Sequence, residues 1–209
     1  MLSNGEERTF IVPGGSTPHL FYEYLADQVT DWKGVILIPS DERLVYETSS
    51  ESNVGMIREN LLERIKVKDK PTLFSFLDGD RSPDSDQVLS SLSQRVESLI
   101  PTRAAFLGIG EDGHTASLFP EYESYFLCNG PLQYIQRNSE PFQRISLSLN
   151  FLSKIPNVVF LVSGENKKPI LEEILSDRNF IDRLPVMKVI KQVKGNVTII
   201  CDKAADPND

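Results

Sequence analysis

This chain of 209 residues is poor in the side chains that most often announce chemistry: it has two histidines, two cysteines and one tryptophan. Cys128 and Cys201 stand alone, with no spacing that suits a metal or a redox pair. That excludes a zinc-ribbon or disulfide-framed domain and makes a reducing cytoplasm the expected setting. Positive charge is short as well, with 22 Lys and Arg against 30 Asp and Glu and a net charge of −8. A general nucleic-acid binder is therefore not expected, although an anionic small molecule can still be held where a few cations converge. No apolar run approaches the roughly 20 residues of a bilayer span, so no membrane partner is expected. The opening MLSNGEERTF lacks the apolar core of a signal peptide. Repeats and low-complexity tracts are missing too.

What is present is an ordinary globular balance, 40% hydrophobic and 25% charged, in segments that alternate between strand and helix character. Strands are expected at Arg8–Val12, Val35–Pro39, Thr72–Leu77, Ala104–Ile109, Ile145–Leu149, Asn157–Val162 and Asn196–Cys201. Between them, Leu20, Phe21, Tyr24 and Leu25 suggest the apolar face of a first helix, capped by Ser16 or Thr17 with Pro18 at its first position. Asn53 is expected to cap a second helix through Met56, Ile57, Leu61 and Ile65. Val88, Leu89, Leu92, Val96 and Leu99 stripe a third, and Pro169–Leu175 a fourth. Such alternation predicts an α/β fold: a doubly wound, mostly parallel sheet with helices on both faces, formed by residues 1–209 as one domain. Glu47–Ser52 and Asp78–Asp86 read as surface loops.

Three strand ends carry polar turns, and in parallel sheets ligands bind beyond the carboxyl ends of strands. The first turn is Pro13-Gly14-Gly15-Ser16-Thr17-Pro18, whose glycines and hydroxyls before a helix suit a phosphate; a well-capped helix with nothing bound explains the same letters. The Lys-Ser or Lys-Thr of a P-loop is absent. The second, Ser40-Asp41-Glu42-Arg43, offers two carboxylates and a guanidinium for a polyol or an oxyanion, or is a solvated loop. The third is Gly108-Ile109-Gly110-Glu111-Asp112-Gly113-His114. It matches the dinucleotide fingerprint G-x-G-x-x-G, but two acids inside the turn would repel a pyrophosphate, so no nicotinamide or flavin is expected. Asp112 two residues before His114 instead suggests an oriented general base. Arg144 and Lys167, at a strand start and just after another strand, are candidate cations facing the Gly15–Thr17 turn. His19 has no evident partner.

Taken together these motifs resemble the 6-phosphogluconolactonase family, which shares its Rossmann-like fold with glucosamine-6-phosphate deaminase. The likeness spans roughly residues 8–205. It rests on GGSTP (Gly14–Pro18), DWKGVILIPSDER (Asp31–Arg43), SN (Ser52–Asn53), GIGEDGHTASLFP (Gly108–Pro120), RISLSL (Arg144–Leu149), LVSGENK (Leu161–Lys167) and DKAA (Asp202–Ala205). The resemblance implies hydrolysis of 6-phosphoglucono-1,5-lactone in the oxidative pentose phosphate pathway, with neither metal nor organic cofactor. It also implies His114 as the base, Asp112 as its orienting acid and Arg43 at the lactone. Asp41 would shape the pocket, while Gly14, Gly15, Ser16, Thr17, Arg144 and Lys167 would hold the phosphate.

Two alternatives remain: a deaminase, or a sugar-phosphate binder without turnover. The deaminases carry a tyrosine where this chain has Arg43 and a catalytic glutamate where it has Phe119. Compared with the family, the chain also has a shortened N-terminus, Pro13 in place of a frequent serine and a compressed segment between Leu77 and Val88. A monomer or homodimer is expected.

Overall fold

A computed structural model describes residues 8–15, 18–77, 86–122, 127–138, 141–176 and 183–209. The chain runs β1 (Arg8–Val12), α1 (His19–Gln28), β2 (Val35–Pro39), β3 (Asp41–Arg43) and α2 (Asn53–Ile57), which continues as a π-helical turn at Arg58–Leu62. Then follow β4 (Thr72–Leu73), α3 (Asp86–Glu97), β5 (Thr102–Gly108), β6 (Leu132–Gln136), β7 (Gln143–Leu147) and α4 (Leu149–Leu152). The remainder is β8 (Asn157–Val162), a 3₁₀ turn at Glu165–Lys167, α5 (Lys168–Leu175), α6 (Pro185–Gln192) and β9 (Asn196–Cys201).

Six strands form a parallel sheet in the order β4-β2-β1-β5-β8-β9. Successive strand residues point to opposite faces, and the two apolar clusters follow that rule. Ile11, Ile38, Ala105, Leu107, Val158 and Phe160 belong to the larger core. Val12, Val35 and Leu37 belong to a smaller one with Tyr22, Ile57 and Leu61 from the first two helical segments and Trp32 from the connection between α1 and β2. The sheet is thus covered on both faces, as the alternating pattern implies. Chain progression reverses between β1 and β5: from β1 it steps outward to β2 and β4, and from β5 to β8 and β9. A crevice must open at that reversal, at the carboxyl ends of β1 and β5.

A second, three-stranded antiparallel sheet, β3-β7-β6, was not expected. Its β3 is the short segment read as a candidate loop, and β6 was not foreseen. Ser40 joins the two sheets, its N–H donating to Val12 O at 2.8 Å and its carbonyl accepting from Leu147 N at 2.9 Å. The paired part of the expected Thr72–Leu77 strand is limited to Thr72 and Leu73.

Of the apolar face expected for the first helix, Phe21 and Leu25 pack against the smaller core and Leu20 and Tyr24 do not. Tyr22 is fully buried, while Leu20 and Tyr24 are 78% and 65% exposed. Tyr22 is drawn in because its hydroxyl donates to Pro13 O at 2.6 Å, tying α1 to the turn after β1. Ser52, not Asn53, caps α2, its Oγ accepting from Gly55 N at 3.0 Å. Pro18 is itself the N-cap of α1 rather than its first residue. The proposed caps Ser16 and Thr17 lie outside the described residues, as does most of the Asp78–Asp86 segment.

Candidate active site

Loops following β1, β2, β5 and β8 converge on a cleft of about 190 Å³. Gly14 and Gly15 reach it from β1, Asp41 and Arg43 from the β2–β3 junction, His114 from the turn after β5 and Lys167 from the turn after β8. Arg144, on β7, completes it. Every described residue of the expected site lines this cleft except Asp112, which stands behind His114. Ser16 and Thr17 lie outside the described residues.

The imidazole is held on two sides. Asp112 Oδ1 lies 2.5 Å from His114 Nδ1 and also accepts from the His114 backbone N–H at 3.1 Å. Burial opposes ionisation of Asp112, but its hydrogen bonds to His114, and the charge of that ring when protonated, outweigh it and lower its pKa to about 2. An ionised carboxylate can only accept, so Nδ1 must carry the proton, and Nε2 of the neutral ring keeps its lone pair. The backbone of Gly110 lies against the ring: a Cβ there would stand 2.0 Å from His114 Nδ1 and 2.6 Å from Asp112 Oδ1. Gly110→Ala is therefore expected to abolish measurable turnover while leaving the thermal unfolding profile nearly unchanged; activity within a few-fold of the parent would show that the ring need not rest there.

After His114 the chain makes a strained turn. Ala116 has φ 50°, a conformation costing a non-glycine residue on the order of 1–2 kcal/mol. Leu118 N donates to Thr115 O at 3.0 Å across it, and Ser117 N donates to Ser146 Oγ at 3.1 Å. The turn thereby delivers Ser117 Oγ to Asp41 Oδ2 at 2.5 Å. Asp41 Oδ1 accepts from Ser40 Oγ at 2.8 Å, and Arg144 stands 3.7 Å from Oδ2. Asp41 is thus a buried anchor for both the turn and Arg144.

Glu42 was read either as one of two carboxylates for a ligand or as part of a solvated loop, and the structure gives it neither role. Its carboxylate is fully buried and accepts from the backbone N–H groups of Arg43, Asn53 and Val54 and from Ser52 Oγ. Burial raises its pKa, and those four bonds work against the rise. Two further residues had been read only as the end of a loop, Ser52, and as a helix cap, Asn53, and as the SN of the family likeness. Ser52 binds Glu42, and Asn53 links Asp41 O, which accepts from its Nδ2 at 2.9 Å, to Gly15 N, which donates to its Oδ1 at 3.4 Å. A Cβ on Gly14 would come 2.2 Å from the Asn53 amide, so only glycine fits there. Arg43 donates to Glu51 O at 2.9 Å, and its Nε is buried with no partner among the described residues. His19, at the head of α1, pairs with Asn60 Oδ1 at 3.0 Å.

The chain is thus a doubly wound α/β protein whose crevice brings an imidazole paired with a carboxylate together with three cations. Among the described residues, no cluster of His, Cys, Asp and Glu is arranged to hold a metal ion. Residues 1–199 match the family described as glucosamine-6-phosphate isomerases/6-phosphogluconolactonase, and the chain belongs to that family. It is 30% identical over 197 residues to a probable 6-phosphogluconolactonase of Dictyostelium discoideum, covering 90% of this chain and 82% of that one. Identity to the 6-phosphogluconolactonase of Caulobacter vibrioides is 31% over 200 residues, covering 91% and 82%. The solved 6-phosphogluconolactonase of Trypanosoma brucei superimposes with a TM-score of 0.78 at 26% identity, covering 97% and 86%.

Proposed function

We infer that this chain hydrolyses 6-phosphoglucono-1,5-lactone to 6-phosphogluconate, the lactone-opening step of the oxidative pentose phosphate pathway. The observation that carries the mechanism is the Asp112–His114 pair, which leaves a basic Nε2 in a cleft also lined by Arg43, Arg144 and Lys167. Water gives a proton to His114 Nε2 as its oxygen bonds to the lactone C1. Arg43 stabilises the oxyanion that forms. The bond from C1 to the ring oxygen then breaks as the carbonyl re-forms, and the imidazolium returns its proton to that oxygen, leaving a hydroxyl and a carboxylic acid that gives its proton to solvent. Asp112 keeps the ring in the tautomer that permits this and stabilises the transient imidazolium.

Arg144, Lys167 and the Gly14–Gly15 turn, with Ser16 and Thr17, hold the phosphate. Each charge-assisted hydrogen bond to it contributes about 1.5–3 kcal/mol. Lys167→Ala should accordingly raise KM about ten- to a hundredfold, with a smaller effect on a lactone lacking phosphate. Equal losses on both lactones would mean that Lys167 does not touch phosphate.

The reading requires no cofactor and no partner beyond the sugar-phosphate lactone, neither nucleic acid nor membrane. One α/β domain, as monomer or homodimer, suffices. Cys128 and Cys201 are free thiols, which supports a cytoplasmic setting. Against the deaminase alternative, the His114 ring packs on the phenyl ring of Phe119, which has no proton to give. The test is fresh lactone beside glucosamine 6-phosphate. Expected is 6-phosphogluconate above the spontaneous rate and no ammonia; ammonia release would restore the deaminase, and a rate equal to the buffer blank would leave a binder.

A further inference from the structure

Phe119 is buried, and its neighbours are specific. The imidazole of His114 lies 4.7 Å from it, centroid to centroid, tilted by 45°. Arg137, the residue after β6, places its Cζ 3.9 Å from the phenyl centroid, and Arg144 places its own at 5.6 Å. An approach as close as 3.9 Å puts the Arg137 guanidinium over the face of the ring, because the ring hydrogens would stop an in-plane approach further out. The face of a benzene ring attracts a cation. Arg137 is fixed in turn: its Nε and Nη2 reach Glu121 Oε1 at 2.9 and 2.6 Å.

We propose that Glu121, Arg137 and Phe119 form a positioning relay for His114. Glu121 fixes the guanidinium, the guanidinium fixes the phenyl ring, and the phenyl ring fixes the plane of the imidazole. The need for it follows from the other contacts. The Asp112 hydrogen bond holds one ring atom, Nδ1, but the torsion that sets the ring plane is intrinsically broad. Gly110 limits the ring where its backbone lies against Nδ1 and Cε1. Phe119 supplies a further surface, so that Nε2 is held in direction as well as in protonation state. Arg137 does not line the cleft, so it acts through Phe119 and not on the substrate.

The proposal rests on His114 as the base, and its test has one readout independent of turnover. Arg137→Ala should lower kcat for the lactone about tenfold or more with KM nearly constant, since small misplacements of a catalytic group cost up to about 100-fold. Arg137→Lys should recover little, because an ammonium has no plane to lay on the ring and cannot make the two-point contact with Glu121. In the Arg137→Ala/Phe119→Leu double variant, kcat should be no lower than in Phe119→Leu alone. The ring-proton NMR shifts of His114 should also move in Arg137→Ala, as the phenyl ring current over them changes.

Unchanged kcat in Arg137→Ala, full recovery by lysine, or losses that multiply in the double variant would each overturn the relay. So would a loss confined to KM. If Arg137→Ala unfolds, Glu121→Gln carries the same kcat and NMR test. A parent chain that fails to hydrolyse the lactone while the His114 shifts respond as described would sink the proposed function and leave the relay standing.

Discussion

Replacing His114 with alanine is expected to lower kcat for 6-phosphogluconolactone by about 10²–10⁴-fold, the usual contribution of a positioned general base, and to change KM by little. The split follows from what the ring touches. Its Nδ1 is committed to Asp112, so only Nε2 faces the reaction, and the proton it takes leaves water only as the C–O bond forms. An interaction made only in the transition state appears in kcat. Spontaneous lactone opening must be subtracted from every rate. Activity surviving within a few-fold would assign water activation to another group.

The second large effect concerns stability. Glu42→Gln is expected to destabilise the fold by about 2–6 kcal/mol, from about 1–3 kcal/mol for each buried donor left without an acceptor. In the parent, Oε1 accepts from Arg43 N and Asn53 N at 2.7 and 2.8 Å, and Oε2 from Ser52 Oγ and Val54 N at 3.0 and 2.7 Å. A glutamine must turn an NH₂ group toward one of those pairs. Denaturant unfolding measures the loss, which is large beside a typical total stability of about 5–15 kcal/mol. A change below about 0.5 kcal/mol, the usual range for surface substitutions, would mean that this carboxylate does not hold α2 to β3.

These residues also mark where the sequence was legible. β1, β2, β8 and β9 were expected with the boundaries observed, because each is a short apolar run closed by a turn or by charge. The site was legible for the same reason: His114, Lys167, Arg43 and the Gly14–Gly15 turn all follow strands, where a doubly wound sheet puts its ligands.

The antiparallel sheet was not legible. Its β3 is three charged residues, Asp41–Arg43, whose strand conformation comes from pairing with Ser146, Ile145 and Arg144 about a hundred positions later. Nor was the role of Glu42, whose partners Asn53 and Val54 are backbone amides and leave no letter in the sequence. On α1, apolar letters picked out Phe21 and Leu25, which pack inward, and Leu20 and Tyr24, which do not, but missed Tyr22, whose hydroxyl ties it to the turn after β1. Relations carried by backbone atoms or by distant pairing escape a reading of side-chain pattern.

The claim that one neutral imidazole activates water is tested most directly by the pH dependence of kcat for the lactone. Asp112, lowered to about 2, stays ionised wherever the enzyme would be assayed. Its contribution to the fold is complete above the usual carboxylate pKa of about 3.9 and is lost only as the pH falls toward about 2. Across about pH 5–8, where imidazoles change charge, kcat above the blank should therefore fall on acidification with a limiting slope of one, the substrate phosphate being already held in the complex. A kcat independent of pH over that range would contradict the account.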